Sequence, residues 1–507
     1  MSLAVVYSRA NLGISAPLVT IEIHMSNGLP GLSIVGLPEA SVKESKDRVR
    51  GAILNSHFEF PAKRIIINLA PADLPKSGGR YDLPIAIGIL IASGQIDCDN
   101  INNYEILGEL ALSGDLRAIA GVIPVAIETE SSGRTLLLPN ENAAEASYVL
   151  DKKLLGASHL IDVCLHLSKQ KALPFDSEAI KSETLNLESL HGEPLDMSDV
   201  KGQHHAKRAL EIAAAGGHSV LLTGSPGTGK TMLASRLPGI LPEMNHAEAV
   251  ESAAVQSMSL SGFNARNWKQ RVFRSPHHTA SAVALVGGGS NPKPGEISLA
   301  HNGVLFLDEL PEFNRHVLEV LREPMESGQI TISRAAQQVD FPAKFQFIGA
   351  MNPCPCGYYG DENYACRCTE DQVKKYRSKI SGPLLDRIDI QISVPRLKNM
   401  TDLLETTHSQ ESSQDIKQRV SSARKIQSDR SGIMNANLSV RQIDENCTLD
   451  QATQTFLHHA MIKLKFSNRA YHKLLKLSRT IADLAGDEKI SSNHIAEAFT
   501  YRNTEQR

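Results

Sequence analysis

Two periodicities alternate along the first third of this chain. Leu18-Val-Thr-Ile-Glu-Ile, Arg64-Ile-Ile-Ile-Asn-Leu and Thr135-Leu-Leu-Leu read as strands, while Glu39 to Asn55, Asp82 to Ala92 and Gly121 to Glu130 carry helical spacing. Such alternation predicts a compact α/β domain over residues 1–168. From 169 to 196 the chain turns polar, rich in Ser, Glu and Leu without sustained periodicity, and reads as a linker. Apolar runs then return at Ser219 to Thr223, Gly303 to Leu307 and Phe345 to Met351, each short enough for a buried parallel strand, within a second α/β domain over 197–396. Between the last two, Gly328 to Ala343 alternates, turns at Ala335-Ala336 and alternates again, which predicts a β-hairpin. Beyond 401 the pattern is helical, with apolar positions at Ile416, Val420, Ala423 and Ile426, then Phe456 to Phe466, Tyr471 to Leu484 and Ile495 to Phe499. That tail predicts a small helical bundle over 401–507.

The strand ending at Thr223 runs into Gly224-Ser225-Pro226-Gly227-Thr228-Gly229-Lys230-Thr231, and the chain continues as a helix. This is a phosphate-binding loop in its proper setting: glycines let backbone N–H groups turn inward around phosphate oxygens, and the helix N-terminus attracts anions. Lys230 is expected to reach the β- and γ-phosphates of ATP, and the Thr231 hydroxyl to bind Mg²⁺. The strand Gly303-Val-Leu-Phe-Leu ends in Asp308-Glu309. Asp308 would hold Mg²⁺ through water, and Glu309 would activate the attacking water as general base.

Composition narrows the partners. With 53 Lys and Arg against 56 Asp and Glu, the net charge of −3 excludes bulk attraction to nucleic acid, so DNA binding would need a local basic surface. The N-terminus lacks a basic start followed by an apolar core, and the longest apolar stretch, Leu83 to Ala92, is too short to span a bilayer. A soluble cytoplasmic protein without a membrane partner is expected. Of seven cysteines, four form Cys354-Pro-Cys356 and Cys366-Arg-Cys368. Four thiolates at that spacing can close around a structural Zn²⁺, whereas disulfides do not suit a reducing cytoplasm; four unliganded buried thiols are the plainer alternative.

Asp199-Val-Lys-Gly-Gln-His-His-Ala-Lys-Arg-Ala-Leu-Glu leading into the phosphate loop, and Arg274-Ser-Pro-His-His-Thr-Ala-Ser beyond it, resemble the bacterial magnesium-chelatase-like AAA+ ATPases, most nearly their ComM/YifB branch. The resemblance covers essentially the whole chain. It implies a Lon-protease-like N-terminal α/β domain, an AAA+ P-loop core with a helix-2 insert, a pre-sensor-1 hairpin and a Cys-rich insertion, and a C-terminal helical lid. It further implies a homo-hexameric, ATP-driven helicase acting on single-stranded and branched DNA, promoting branch migration during natural transformation alongside recombination proteins. Asn352 then resembles sensor 1, Arg387 an arginine finger reaching a neighbouring subunit, and Arg469 sensor 2, with Arg479 a competitor. The plainer reading of Arg387 is a structural ion pair with Asp386 or Asp389.

For DNA contact the candidates are Arg334, Gln337 and Gln338 on the hairpin, and Arg274, His277, His278 and Lys293 in the Gly-rich stretch 271–294. His277-His278 could instead pack a nucleotide interface. In the Lon-like region, Arg80 or Asp82 falls where a peptidase serine is expected and Ile123 where its lysine is expected, and adjacent Lys76-Ser77 cannot form the dyad. A peptidase fold without peptidase chemistry is the expectation. A magnesium-chelatase motor subunit and a MoxR-like protein-remodelling ATPase remain the alternatives, because they share the same core.

Overall fold

A computed structural model describes residues 2–150, 152–173, 195–259, 261–289, 292–334, 337–396, 411–463 and 467–502. The chain divides into two compact units, Met1–His191 with His246–Trp268, and Gly192–Asn245 with Lys269–Arg507. Most of the linker expected over 169–196 lies outside the described residues, as do 401–410 at the start of the expected lid.

The first unit is built on β1 (Ser2–Arg9), β2 (Leu18–Ser26), β3 (Gly31–Val35), β4 (Arg64–Ala70), β5 (Tyr104–Ile106), the small ribbon of β6 (Glu109–Leu110) and β7 (Leu116–Arg117), β8 (Thr135–Pro139) and β9 (Leu154–Ala157). Seven of these form one mixed sheet in the order β3-β4-β2-β1-β5-β8-β9. In β2 the alternate residues Val19, Ile21, Ile23 and Met25 are buried, which fixes its register, since a slip by one residue would turn them all outward. The helix Asp82–Ala92 is apolar on nearly every face and correspondingly buried. Glu105 on β5 is fully buried and satisfied by Arg9, Thr129, Ser132 and Arg134, so a charge inside the sheet is compensated from both neighbouring elements.

The positions expected to lack peptidase chemistry are occupied by structural contacts. Buried Arg80 donates to Asn11 and to the Ala120 carbonyl, Asp82 pairs with Arg48, and Ile123 is in a hydrophobic cluster. The Lys76 ammonium is buried against the Pro71 carbonyl.

One boundary differs from the sequence expectation. Residues His246–Trp268, which fall within the 197–396 expected for the nucleotide core, belong to the first unit. Ala253 and Ala254 pack on Ile123, and Tyr148 meets the rings of Phe263 and Trp268 at 5.4 and 4.9 Å. An alanine face on a helix carries little sequence signal about its partner, and the aromatic residues that complete the cluster are distant in the chain.

Burial pushes the Glu145 carboxyl of this unit up to about 7, and its Oε1 has no hydrogen-bond partner among the described residues. A folded-state value above the unfolded one means this contribution is full below about pH 4.3 and is lost as pH rises through about 7. Glu145→Gln is therefore expected to raise the melting temperature at pH 8 by an amount equivalent to about 2 kcal/mol and to flatten its pH dependence between 5 and 8. Calorimetry of both proteins across that range is the check; parallel pH profiles would refute it.

The second unit contains β10 (Val220–Thr223), β11 (Phe273–Arg274), β12 (Gly287–Gly288), β13 (Lys293–Pro294), β14 (Val304–Leu307), β15 (Gln329–Arg334), β16 (Gln337–Pro342), β17 (Gln346–Met351) and β18 (Ile390–Ser393). Its sheet runs β11-β14-β17-β10-β18, and each neighbouring pair is parallel. β10, β14 and β17 are buried at every position, as a sheet covered on both faces requires. β10 lies between β17 and β18, and ligands of such sheets bind outside the carboxyl ends of the strands.

After β18, helices at Ser413–Ser431, Val440–Asn446, Gln451–Lys463, Asn468–Ala485 and Ser492–Thr500 build the C-terminal bundle. Leu474, Leu477 and Ile481 share a continuous core with Ala209, Leu210 and Ile212 of the helix His204–Gly216, so bundle and sheet are held as one unit.

Candidate functional site: a phosphate loop, an acidic strand end and a cysteine knuckle

Gly224 follows β10 where an added Cβ would lie 2.5 Å from the Val394 carbonyl oxygen, so no side chain fits. Gly229 has φ of 87° and caps the helix Lys230–Ser235, a left-handed conformation that favours glycine. These two positions set the loop's path, and the helix that follows begins with Lys230 itself. Its ammonium donates to the carbonyls of Gly224 and Ser225 at 2.7 and 3.0 Å and to Asn352 Oδ1 at 3.2 Å. Burial draws Lys230 below its ordinary range, and Asp308 and Glu309 oppose that shift.

β17 runs beside β10 and β14 beside β17, and in this parallel sheet their carboxyl ends lie on the same edge. The Thr231 hydroxyl donates to Asp308 Oδ2 at 2.6 Å, so the two side chains that would hold Mg²⁺ are already adjacent. Glu309 has φ of 51°, strained for a residue with a Cβ, and its amide donates to Asp308 Oδ1 at 2.9 Å. Its carboxylate lies 3.2 Å from His278 Nδ1 and is 52 % exposed. Asn352, one residue past β17, completes the group by its contact with Lys230. A buried lysine, a hydroxyl–carboxylate pair, a carboxylate open to solvent and a polar side chain beside the lysine are thus brought together.

Arg387 and Arg469 lie elsewhere in this unit. Both donate to Oε1 of Glu326 at 2.6 Å, and both line a cavity of about 320 Å³ together with Asp389, His472, Lys473 and Lys476. None of residues 224–231 lines it. The ion pair of Arg387 is with Glu326, whereas Asp389 is taken by Lys473 at 2.7 Å and by His218 at 3.5 Å. Against the effect of burial, Lys473 and His218 hold the Asp389 carboxyl well below the usual range. Arg479 is buried, bound to Asp483 and to the carbonyls of Asp487 and Glu488, and so pins the end of its own helix.

The DNA candidates separate into groups. β15 and β16 pair from Gln329↔Pro342 to Arg334↔Gln337, and the expected turn at 335–336 lies outside the described residues. Gln338 is exposed on this ribbon. β12 and β13 form a second ribbon bearing exposed Lys293, and its Gly287 abuts Ile332 of β15 closely enough that an added Cβ would be 2.9 Å from Ile332 Cδ1. Arg274, by contrast, is bound to Glu296 by two contacts of 2.7 and 2.6 Å. His277 stacks on His278 at 4.1 Å, and His278 faces Glu309, so this pair sits at the acidic strand end.

The four cysteine sulfurs all lie within 4.8 Å of one another. Cys354 is 3.3 Å from Cys356 and 3.7 Å from Cys366, and Cys356 is 3.5 Å from Cys366. A disulfide needs about 2.05 Å. A tetrahedron with metal–sulfur bonds of about 2.3 Å has edges of about 3.8 Å, so the cluster fits Zn²⁺. The amides of Tyr358 and Arg367 draw the Cys356 thiol down to about 6, while Cys366 and Cys368, despite an amide contact to each, are pushed up by burial and by the neighbouring thiols.

Glu326, Asp361 and Arg396 escaped the sequence reading although each contacts the site's loops or arginines. No spacing announces them, because each is recognised only by what it touches.

Comparison with known proteins agrees with this architecture. The family "Magnesium chelatase, subunit ChlI" matches residues 196–402, "Subunit ChlI of Mg-chelatase" matches 21–142 and "Magnesium chelatase, subunit ChlI C-terminal" matches 410–502. The Competence protein ComM of Haemophilus influenzae is 53% identical over 503 residues, covering 99% of this chain and 98% of its own. The Escherichia coli (strain K12) protein YifB is 50% identical over 505 residues, covering 99% and 97%. The Magnesium-chelatase 38 kDa subunit of Rhodobacter capsulatus is 29% identical over 178 residues, 31% of this chain and 49% of that one. The chain belongs to the ComM/YifB family of magnesium-chelatase-like AAA+ proteins.

Proposed function

We propose that this protein is a ring-forming, hexameric ATPase that drives DNA branch migration during recombination in natural transformation. The observation that carries the reading is the division of the site. Lys230, Thr231, Asp308, Glu309 and Asn352 are together, while Arg387 and Arg469 are held by one carboxylate at a cavity that the phosphate loop does not line. Phosphoryl transfer needs a guanidinium at the γ-phosphate, and arginines so placed serve the nucleotide of a neighbouring copy. Both arginines then act between subunits, so a ring is the working form. ATP is bound by residues 224–231, with Mg²⁺ on Thr231 and Asp308. Zn²⁺ is held by Cys354, Cys356, Cys366 and Cys368 in a structural role.

DNA is the driven substrate in this reading. The ribbon β12–β13 abuts β15–β16 where Gly287 meets Ile332, and sequence-independent DNA contacts are assigned to Lys293, Arg334, Gln337 and Gln338. The relative named for competence supports DNA as the partner. His278 is assigned to the nucleotide site, where it steadies Glu309, and His277 with it. The first unit, a Lon-like fold without the peptidase dyad, serves assembly or DNA guidance.

Single-stranded DNA is expected to accelerate ATP hydrolysis, and the wild type to migrate a synthetic three-strand junction only with ATP. Arg334→Ala is expected to lower DNA affinity by roughly fivefold in low salt and to reduce the salt dependence, as loss of one phosphate contact would. Unchanged DNA affinity would remove the hairpin from the interface. Hydrolysis indifferent to DNA but stimulated by a chelatase partner subunit would favour the motor-subunit reading instead.

A further inference from the structure

The segment between the two cysteine pairs does more than close a knuckle, because it lies against the phosphate loop. Gly357, with φ of 88°, is so near Pro226 that an added Cβ would lie 2.6 Å from its Cδ. Asp361 carries a side chain only 4 % exposed, whose Oδ1 accepts the Asn363 amide at 2.9 Å and whose Oδ2 lies 3.9 Å from Arg396 Nε. Arg396 stacks on Tyr364 at 4.8 Å and donates to the Pro226 carbonyl at 3.0 Å. Ser225, facing Asp361, is the first of the groups that hold its carboxyl below the ordinary range. Gly357, Asp361 and Tyr364 thus come from the stretch bounded by Cys356 and Cys366; Gly357 meets Pro226 directly, while Asp361 and Tyr364 meet Arg396, which donates to the Pro226 carbonyl.

We propose that Asp361 is a positioning residue that fastens the cysteine knuckle to the phosphate loop, so that nucleotide affinity depends on whether the knuckle holds its metal. The physical reason is conformational entropy. A phosphate loop binds only with its amides already turned inward, and ordering its residues at the moment of binding would cost conformational entropy. Four sulfurs on one ion fix both ends of the 357–365 segment. Gly357 directly, and Asp361 through Arg396, then hold Pro226 from outside. With the ion removed, the ends are untied and this brace is lost, although Lys230, Thr231 and Asp308 remain intact. Neither Asp361 nor Arg396 touches the reacting atoms.

This inference rests on reading 224–231 as the nucleotide site, and the experiment keeps the two apart. Equilibrium binding of fluorescent Mg·ADP to the full-length protein is measured for four samples: wild type with zinc, wild type stripped by a chelator, Asp361→Ala and Asp361→Asn, with zinc content by elemental analysis of each. The expected result is about tenfold weaker binding for the stripped protein and for Asp361→Ala, the latter still holding zinc. Asp361→Asn, whose amide oxygen can still accept from the Asn363 amide and face Arg396, is expected to recover most of the affinity. For Asp361→Ala the KM for ATP rises with kcat nearly unchanged, a split that a general loss of folded protein would not give. Wild-type affinity in zinc-loaded Asp361→Ala overturns the positioning role, whatever the stripped sample does. Equal affinity in stripped and loaded wild type overturns the dependence on metal. A wild type that binds no Mg·ADP overturns the site reading, and this inference with it.

Discussion

Glu309→Gln is expected to bind Mg·ATP within about threefold of the wild type and to hydrolyse it roughly 10²–10⁴-fold more slowly. The glutamine keeps the size and hydrogen-bonding shape of the side chain, so the left-handed backbone at 309 and the Asp308 contact through its amide are undisturbed. What it cannot do is take a proton from water. Glu309 is half exposed, as a carboxylate that must meet a water molecule has to be, whereas Asp308 is engaged by Thr231 and by the Glu309 amide. The carboxylate also lies 3.2 Å from His278, and a neutral amide would weaken that contact without removing it. Single-turnover hydrolysis and nucleotide binding, measured on the same preparation, give the answer. Hydrolysis within threefold of wild type would dismiss Glu309 as the base, and junction migration by the variant at full rate would dismiss an ATP-driven mechanism.

Arg387→Ala is expected to cost about 10³-fold in kcat, the lower end of what an arginine finger contributes. Binding of Mg·ADP to the same variant is expected to be nearly unchanged, because the cavity holding Arg387 is not lined by the phosphate loop. The decisive measurement mixes two inactive proteins. Glu309→Gln subunits supply an intact Arg387, and Arg387→Ala subunits supply an intact Glu309. Where the two meet in one ring, a complete site forms at the shared boundary, and a substantial fraction of wild-type hydrolysis should return. No recovery over the whole range of mixing ratios, with ring assembly verified, would place Arg387 and Glu309 in the same subunit's site or give Arg387 a purely structural role. Glu326 offers a control for the local geometry. It holds both arginines, so Glu326→Gln loosens them without removing either guanidinium.

The phosphate loop and the strand ending in Asp308-Glu309 were legible because each is a short contiguous string whose chemistry depends on backbone path and on immediate neighbours. Their meeting at Thr231 and Asp308 follows once β10 and β14 belong to one parallel sheet, whose members are buried at every position and therefore apolar in sequence. The four cysteines were legible for a similar reason, since thiol pairs two apart leave few other uses. The hairpin could be read from its alternation, and β15 and β16 carry that register from Gln329 to Gln337.

Other features had no such local signature. The segment 246–268 was grouped with the nucleotide core by its place in the chain, yet its alanines and aromatic residues complete a cluster built on Ile123 and Tyr148. The plainer alternative for Arg387, an ion pair with nearby Asp386 or Asp389 in place of an arginine finger, names the wrong carboxylates, because its ion pair is with Glu326, 61 positions earlier. Arg274 and His278 looked like members of a cationic loop, and their partners turned out to be Glu296 and Glu309. Charged side chains are long and select partners by spatial proximity, which the order of residues does not reveal.

By itself, then, the sequence determined the chemistry available: a glycine-built loop that cradles phosphate, a carboxylate pair at a strand end, and four thiols spaced for one ion. These are properties of a few consecutive residues and of backbone geometry. Only the tertiary structure decided which distant residues complete them, because that depends on strand order and on the path of intervening loops. It joined Arg387 and Arg469 through Glu326, placed His278 at Glu309, and laid the cysteine knuckle against Pro226 through Gly357 and Arg396.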